Sequence, residues 1–144
     1  MAIPVLDEPV RRVFCVPLIF VPTLRTSSEW AYSTGGVVIP RPVLVQRNDR
    51  VLAYFGGTIY AVDANAVGEA RLCVYAADAQ MHTPVEPLTI RSEGKDRQTY
   101  LRGPYDITDM LPGGALVGVR AAARSVTDGT QVSFFHLTAT FLVQ

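Results

Sequence analysis

Few residue types in this chain could make or break covalent bonds, and none lies at the spacing of a known catalytic motif. The sequence has two histidines, His82 and His136, and neither belongs to an H-x-x-x-H, H-E-x-x-H, C-x-x-C, G-x-S-x-G or phosphate-loop pattern. Ser133 lies near His136, but on one extended strand this pair would lack a third group to orient the histidine. We therefore predict that the protein is not an enzyme, with no catalytic residue and no cofactor.

The acidic residues favour turns over a catalytic or metal-binding site. Glycoside hydrolysis needs two carboxylates roughly 5–9 Å apart in a cleft. Nothing in the sequence fixes such a pair among the acidic residues of the loops, Glu86, Glu93, Asp106 and Asp109. Asp63 and Asn65 with Glu69 offer oxygen ligands for Ca²⁺ but lack a regular ligand spacing. We predict capping or solvated loop roles for these side chains and no bound metal.

Aromatic side chains in loop-like contexts form a candidate ligand site. Trp30 follows Ser27-Ser28-Glu29, and Tyr105 follows Arg102-Gly103-Pro104. A sugar ring presents an apolar face that can lie against an aromatic side chain. The candidate glycan platform therefore comprises Trp30, Tyr32, Tyr100 and Tyr105. The alternative is that these rings belong to the core, as aromatic residues of β-domains often do.

The composition limits the classes of partner. The chain has 144 residues with 13 basic and 13 acidic side chains, so no basic excess exists to displace the counterions of nucleic acid. Its longest apolar stretches, such as 13–21, are about half as long as a membrane span and contain Pro17. Apolar residues make up 49%, which is too many for a disordered chain. Charged residues make up only 18%, where about a quarter is usual, which favours a surface covered by partner subunits.

The two cysteines, Cys15 and Cys73, have no neighbouring His or Cys that would indicate a metal site. Buried free thiols are the favoured interpretation, and whether the two residues pair is left open. The first 12 residues contain Asp7 and Glu8 and lack a long apolar segment, so we predict no signal peptide.

The elements that position these residues are predicted to be strands. Val, Thr, Tyr and Phe are abundant, and Gly or Pro recurs at short intervals, which is typical of an all-β sandwich or barrel. Residues 1–48 form a Pro-rich segment that suits edge strands or an extended arm, because proline lacks the donor that a central strand needs. This segment could cross to a neighbouring subunit or form the irregular edge of its own domain. Residues 49–144 are predicted to form the sandwich core, within a single domain overall.

Gly56-Gly57 separates two β-rich runs, 51–55 and 58–62, and predicts a hairpin with a two-residue turn. In that register Val51, Ala53, Phe55 and Tyr60 share one face, and the other face is apolar as well. A sandwich strand normally needs only one apolar face. The second face would therefore be covered by the Pro-rich segment or by another chain, and the sequence does not decide which face is core.

Residues 115–126 and 132–143 alternate between apolar and polar side chains. A three-residue loop, 127–129, would pair Val119 with Leu137 and Ala121 with Phe135, with Gly129 in the left-handed conformation. The predicted outer face carries Arg120, Arg124, Phe134, His136, Thr138 and Thr140. From the two hairpins together, the candidate interface residues are Val51, Ala53, Phe55, Tyr60, Phe134 and His136. Residues 93–96 are predicted to form an exposed polar turn.

One segment resembles a known family. Asp106, Ile107, Thr108 and Leu111, with Gly113 or Gly114, match the D-[IV]-T-x-x-L-x-x-G stretch of galactose-binding-like jelly-roll domains. Such domains occur beside glycoside hydrolases and in phage tail and head accessory proteins. The resemblance covers about 20 residues and implies a jelly roll. The chain departs from the family in having Ala115-Leu116 where an Asn often follows the glycine.

The same segment also has a local structural interpretation. Asp106 or Thr108 could cap a single helical turn by accepting backbone N–H groups, with Leu111 directed into the core. Pro112-Gly113-Gly114 would then end the turn. We therefore expect a structural connection between two sheets, with Asp106 in a structural role.

These observations predict an all-β fold, an antiparallel jelly-roll β-sandwich of about eight strands. The predicted function is that of a non-catalytic structural or attachment subunit of a larger assembly. The specific form of this prediction is a phage-type virion accessory protein, either head decoration or tail, that forms a homo-oligomer and contacts other virion subunits. Its location would be the virion, or otherwise the cytoplasm. The alternative is a carbohydrate-binding module that recognises surface glycans.

Overall fold

The structure is a computed structural model that describes residues 9–18, 24–33, 36–46, 48–61, 63, 65–76 and 82–144. Strands dominate these residues, with one four-residue helix, α1 Arg41–Leu44, and 3₁₀ turns at Glu86–Leu88 and Thr108–Met110. The strands are β1 Arg12–Pro17, β2 Leu24–Arg25, β3 Ala31–Tyr32, β4 Val37–Pro40, β5 Val51–Ala61, β6 Gly68–Ala76, β7 His82–Pro84, β8 Ile90–Arg91, β9 Asp96–Asp106, β10 Leu116–Ser125 and β11 Val132–Val143.

The strands form two antiparallel sheets with jelly-roll connectivity. Sheet I has the order β1–β11–β5–β9, and β2 also pairs with β11. Sheet II has the order β3–β10–β6–β7, with β4 beside β10 and β8 beside β6. We count β1 with β2, β3 with β4, and β7 with β8, as one position each. The chain then crosses between the sheets at every connection except that from β6 to β7, which is the order of a double Greek key. The predicted antiparallel jelly-roll sandwich is therefore confirmed.

The core lies between the two sheets. Sheet I contributes Phe55 and Phe141, and sheet II contributes Leu72 and Val117, all of which are fully buried or nearly so. Val, Leu, Ile and Phe alternate with other side chains along the strands because successive residues of a strand point to opposite faces. Burial of apolar surface, at about 25 cal/mol per Å², is the main force that holds the sheets together.

The predicted hairpin at Gly56-Gly57 is wrong, because both glycines lie inside the single continuous strand β5. Neither has a left-handed φ, and their role is to let the neighbouring strands approach. A Cβ on Gly56 would lie 2.5 Å from the carbonyl oxygen of Tyr100 on β9. A Cβ on Gly57 would lie 2.6 Å from the Leu137 side chain on β11.

The predicted hairpin between residues 115–126 and 132–143 is also wrong, because β10 lies in sheet II and β11 in sheet I. Gly129 has the expected left-handed φ of 87°, but its turn crosses from one sheet to the other. A β-bulge at His136, whose φ is 54°, places two residues of β11 opposite Gly57. The bulge reverses the alternation, so Phe134 points into the core and Phe135 is half-buried outside it.

The described part of the Pro-rich segment supplies edge strands of this same sandwich. β1 pairs with β11 in sheet I, and β3 and β4 pair with β10 in sheet II. The boundary at residue 48 and an arm that reaches a neighbouring subunit stay predictions. Residues 93–96 are exposed, as expected of a polar turn.

The segment that carries the family resemblance joins the two sheets between β9 and β10. The carboxylate of Asp106 accepts hydrogen bonds from the Thr108 backbone N–H at 2.9 Å and from its hydroxyl at 2.6 Å. The Thr108 hydroxyl oxygen accepts the Val51 N–H at 2.9 Å. Ile107 and Leu111 are buried in the core. These contacts give Asp106 the structural role expected from the local interpretation.

Candidate functional site

The four rings of the predicted glycan platform do not form one site. Trp30 and Tyr32 lie at the edge of sheet II, whereas Tyr100 and Tyr105 lie on β9 of sheet I. The Tyr100 ring packs against the core, and its hydroxyl donates to the Gln98 side chain at 2.6 Å. The predicted platform is therefore wrong as a single surface, and only Trp30 and Tyr32 share a face. The period-two positions of these residues did not show which sheet each strand would join.

Sheet II carries a cluster of arginine and aromatic side chains on its outer face. We call this cluster the arginine face, and it consists of Trp30, Tyr32, Glu69, Arg71, Tyr75, His82, Arg91, Arg120 and Arg124. The strand register brings these residues together, since β10 lies beside β3, β4 and β6, and β6 lies beside β7 and β8.

One half of the arginine face is built around Trp30 and Glu69. The guanidinium carbons of Arg71 and Arg124 lie 4.0 and 4.5 Å from the Trp30 ring centre, within the range of cation–π attraction. The Glu69 carboxylate accepts from Arg124 at 2.7 Å and from Arg91 at 3.0 Å. These contacts fix the positions of the Trp30 ring and the three guanidinium groups.

The other half is a stack of rings. Tyr32 stacks on His82 with ring centres 4.3 Å apart, and Tyr75 lies 4.6 Å from the same histidine. The Arg120 guanidinium lies 5.1 Å from the Tyr75 ring and contacts Nε2 of His82 at 3.5 Å. Gly118 lies directly beneath the Tyr75 ring, where a Cβ would be 2.2 Å from it. The missing side chain therefore lets the tyrosine lie flat on the sheet.

The small outward-facing residues of sheet II lie beneath the arginine and aromatic side chains of this face. Cys73 and Ala122 face outward but are fully buried. Arg120 and Arg124 were predicted to lie on an outer face, and the structure places them there. Arg71, Tyr75 and His82 were not predicted. The alternation of Glu69, Arg71, Cys73 and Tyr75 was a signal for an outward polar row, but their meeting with β10 depends on the long-range register.

The outer face of sheet I is different in chemistry. None of the residues in its three middle rows is charged. The first row is Cys15, Thr140 and Tyr54, the second is Pro17, Thr138, Gly56 and Leu101, and the third is Phe135, Thr58 and Thr99. Leu101 is 70% exposed, and Val13 in the adjoining row is 57% exposed. Charges stand at the ends of the face, at Arg97 and at the Arg50–Asp106 ion pair. We call this surface the apolar face.

Most of the candidate interface residues are not available to a partner. Val51, Ala53, Phe55 and Phe134 lie in the core between the sheets. The sequence left open which face of residues 51–62 is core, and the continuous strand β5 places Val51, Ala53 and Phe55 inside. Phe134 is turned inward by the bulge at His136. These four candidate interface residues are therefore corrected. Tyr60 is half-buried on the apolar face with Arg97 near its ring, and His136 is exposed at the bulge of β11.

The two thiols are free, and they lie on the outer faces of different sheets, which prevents pairing within the chain. Cys15 is exposed, so the expectation of two buried thiols holds only for Cys73. Burial of Cys73 raises its thiol pKa to about 11, against a smaller opposing effect of Arg71. The thiolate is the reactive species. Cys73 is therefore protected from thiol reagents in two ways, because it is buried and because its thiol stays protonated.

We expect a disulfide reagent at pH 8 to titrate one thiol of the folded protein rapidly and the second only after unfolding. Cys15→Ser should remove the rapid phase and leave the slow one. Rapid reaction of the Cys15→Ser variant would contradict the burial of Cys73. Absorbance of the released thiolate measures both phases.

Among the described residues, no group of three His, Cys, Asp or Glu side chains is arranged to hold a metal ion. Glu69, which the sequence offered as a Ca²⁺ ligand, is bound by Arg91 and Arg124 instead. In the same ranges, no helix has the length and apolar character to cross a membrane.

The chain matches no protein-family model and no curated protein sequence. Solved structures with a similar arrangement include the CBM22-1 xylan-binding domain of Paenibacillus barcinonensis Xyn10C, with a TM-score of 0.41, 9% identity and coverage of 92% of this chain and 96% of that one. The Tobacco streak virus coat protein matches with a TM-score of 0.33 and 11% identity, over 94% of this chain and 88% of that one. TmCBM61 in complex with β-1,4-galactotriose matches with a TM-score of 0.32 and 9% identity, over 83% of this chain and 90% of that one. At these scores the likenesses carry no argument about function.

Proposed function

We propose that this protein is a non-catalytic structural or attachment subunit of a larger assembly, and that the apolar face contacts a neighbouring subunit. The observation that carries this proposal is the uncharged middle of the outer face of sheet I, with one exposed apolar side chain on each of its two edge strands. Leu101 and Val13 project from a surface whose middle rows hold no charge. The outer face of a sandwich that is free in water is usually polar.

The chemistry of the apolar face suits a protein contact. Tyr54, Phe135 and Leu142 are half-buried, so each still has surface to lose to a partner. Aromatic residues and depletion of charge characterise the centres of protein interfaces. The threonine hydroxyls of the same rows can form hydrogen bonds across a contact.

The specific form that we propose is a phage-type virion accessory protein, located in the virion as a head-decoration or tail subunit. Its support is the Asp106–Leu111 segment, which resembles that of jelly-roll domains found in such proteins. In this chain the segment makes the sheet-to-sheet connection that a jelly roll requires.

Leu101→Asp should disrupt this assembly. A charge within the contact would have to be desolvated without a partner, and the apolar contact of the leucine would be lost. We expect the dissociation constant of the oligomer to rise by about tenfold or more. Native mass measurement across a concentration series would detect this change.

Val43→Asp is the matched control, because Val43 is 46% exposed but lies in α1, away from the apolar face. It should leave the oligomer unchanged. Two results would contradict a contact at the apolar face. The first is an equal change of the dissociation constant in both variants. The second is an oligomer of the parent protein whose dissociation constant Leu101→Asp leaves unchanged.

A second candidate function is glycan recognition by the arginine face. The observation that favours it is Tyr32, a residue that is 42% exposed on sheet II while its ring stacks on His82. An exposed, fixed aromatic ring offers a surface on which a sugar can lie. The two functions are compatible, because the apolar face and the arginine face belong to opposite sheets.

A further inference from the structure

We propose that the arginine face binds an acidic glycan, a saccharide whose sugar units carry carboxylate groups. This inference rests on the second candidate function and names its ligand class. The sugar ring would lie on Tyr32, and the carboxylates would pair with Arg71 and Arg120.

The first argument is charge. Among the described strand residues of this face, Arg71, Arg91, Arg120 and Arg124 are accompanied by one carboxylate, that of Glu69. Glu69 is shared by Arg91 and Arg124, so within the described residues Arg71 and Arg120 have no carboxylate partner. The whole chain is formally neutral, which makes this local excess of positive charge a property of the face. An anionic ligand would be attracted to it.

The second argument is the state of the two guanidinium groups. The Nε atoms of Arg71 and Arg120 are buried and have no hydrogen-bond partner within the described residues. A guanidinium has five N–H donors in a planar fork that matches the geometry of a carboxylate. Because the Nε atoms are buried, the donors that a carboxylate would meet are the terminal nitrogens of these two half-buried side chains.

The third argument is preorganisation. Arg71 is held against Trp30, and Arg120 is held near Tyr75 and His82. Guanidinium groups fixed by rings lose less conformational freedom when a ligand binds. Trp30 contacts two arginines, so its role here is to position cations, and Tyr32 is the ring left open for a sugar.

The fourth argument is spacing. Tyr32 and Arg71 lie in one row on either side of Ala122. Two strand spacings of about 4.8 Å separate their backbones. Ala122 itself is fully buried, so the surrounding side chains close over it and the surface is continuous between the ring and the guanidinium. A short oligosaccharide could therefore contact the ring with one unit and the guanidinium with the next.

The test uses the whole chain and three labelled polysaccharides, measured by affinity electrophoresis or calorimetry at low and high salt. The probes are polygalacturonate, which carries carboxylates, heparin, which also carries sulfate, and neutral xylan. We expect polygalacturonate to bind and its affinity to fall as salt rises, because the pairing is electrostatic.

Arg71→Gln, Arg120→Gln and Tyr32→Ala should each weaken polygalacturonate binding by about tenfold or more. Arg97→Gln is the matched control, because Arg97 also lies near aromatic rings but on the apolar face. It should bind as the parent protein does. Arg71→Met, which keeps the aliphatic stem against Trp30, should fold normally by circular dichroism and still lose binding.

Each other outcome overturns the inference in a distinguishable way. Salt-independent binding of xylan with no preference for polygalacturonate would refute the acidic ligand and leave glycan recognition standing. Binding of heparin alone would refute the choice of carboxylate over sulfate. Binding of none of the three polysaccharides would refute both the inference and the second candidate function. An equal loss in Arg97→Gln would refute the location.

Discussion

Gly57→Val should destabilise the protein by about 3 kcal/mol, the upper part of the range for overpacking a closely packed site. A Cβ at this position would lie 2.6 Å from the Leu137 side chain, 3.0 Å from the Leu137 Cα and 3.1 Å from the Phe135 carbonyl oxygen. The side chain of Leu137 could rotate, but the two backbone atoms belong to the bulge of β11. Valine could enter only if β5 and β11 moved apart, which would weaken their hydrogen bonds and open the core behind Ala139.

Urea denaturation of the two proteins measures this loss as a shift of the midpoint. Gly113→Val is the matched control, because a Cβ at Gly113 would have no atom within 4 Å. It should change the free energy of unfolding by less than about 0.5 kcal/mol. Equal midpoints for Gly57→Val and Gly113→Val would contradict the close approach of β11 to Gly57.

Asp49→Ala should cost about 2 kcal/mol, because it removes a buried acceptor of a backbone N–H and the carboxylate that two part-exposed arginines share. The Asp49 side chain is 1% exposed, and it forms ion pairs with Arg11 and with Arg12, the latter at 2.7 Å. It also accepts the Gln46 backbone N–H at 2.9 Å. The alanine would leave two cations near each other and a backbone donor without its acceptor. The site joins the start of β1 to the loop before β5, so docking of the first strand depends on it.

Asp49→Asn separates the two contributions, since the amide oxygen can still accept the Gln46 N–H but carries no charge. We expect its loss to lie between those of the parent protein and the alanine variant. Asp109→Ala, at an exposed carboxylate, is the control and should be nearly neutral. An Asp49→Ala variant as stable as Asp109→Ala would show that the ion pairs contribute nothing. Denaturation at two salt concentrations would complete the comparison.

The strand content and the sandwich could be predicted because they depend on local alternation and on the spacing of turn residues. The pairing of the strands could not be predicted from the sequence. Gly56-Gly57 is compatible with a tight turn and with a close approach of neighbouring strands, and the choice is made by Tyr100 and Leu137, which lie far away in the chain. A window of the sequence around the glycines contains neither contact.

The last two long strands illustrate the same limit. β10 and β11 are consecutive and joined by a short turn, yet they belong to opposite sheets, because the jelly roll connects strands across the sandwich. The outward position of Phe134 failed for a separate reason. The bulge at His136 shifts the alternation by one residue, and it forms opposite Gly57 of another strand.

The arginine face was predictable only in part. Alternation along β10 indicated that Arg120 and Arg124 would point outward, and they do. Trp30, Arg71 and His82 join them through the pairing of four separate strands. The low charge of the chain favours a surface covered by partner subunits. The outer face of sheet I, on the other side of the molecule, is the one whose middle rows hold no charge.

The mass of the purified chain under native conditions, measured across a wide range of concentration, tests the proposed assembly function most directly. We predict a defined oligomer at the higher concentrations, which Leu101→Asp dissociates and Val43→Asp leaves intact. A chain that stays monomeric at the highest concentration and shows no affinity for a particle would contradict the account.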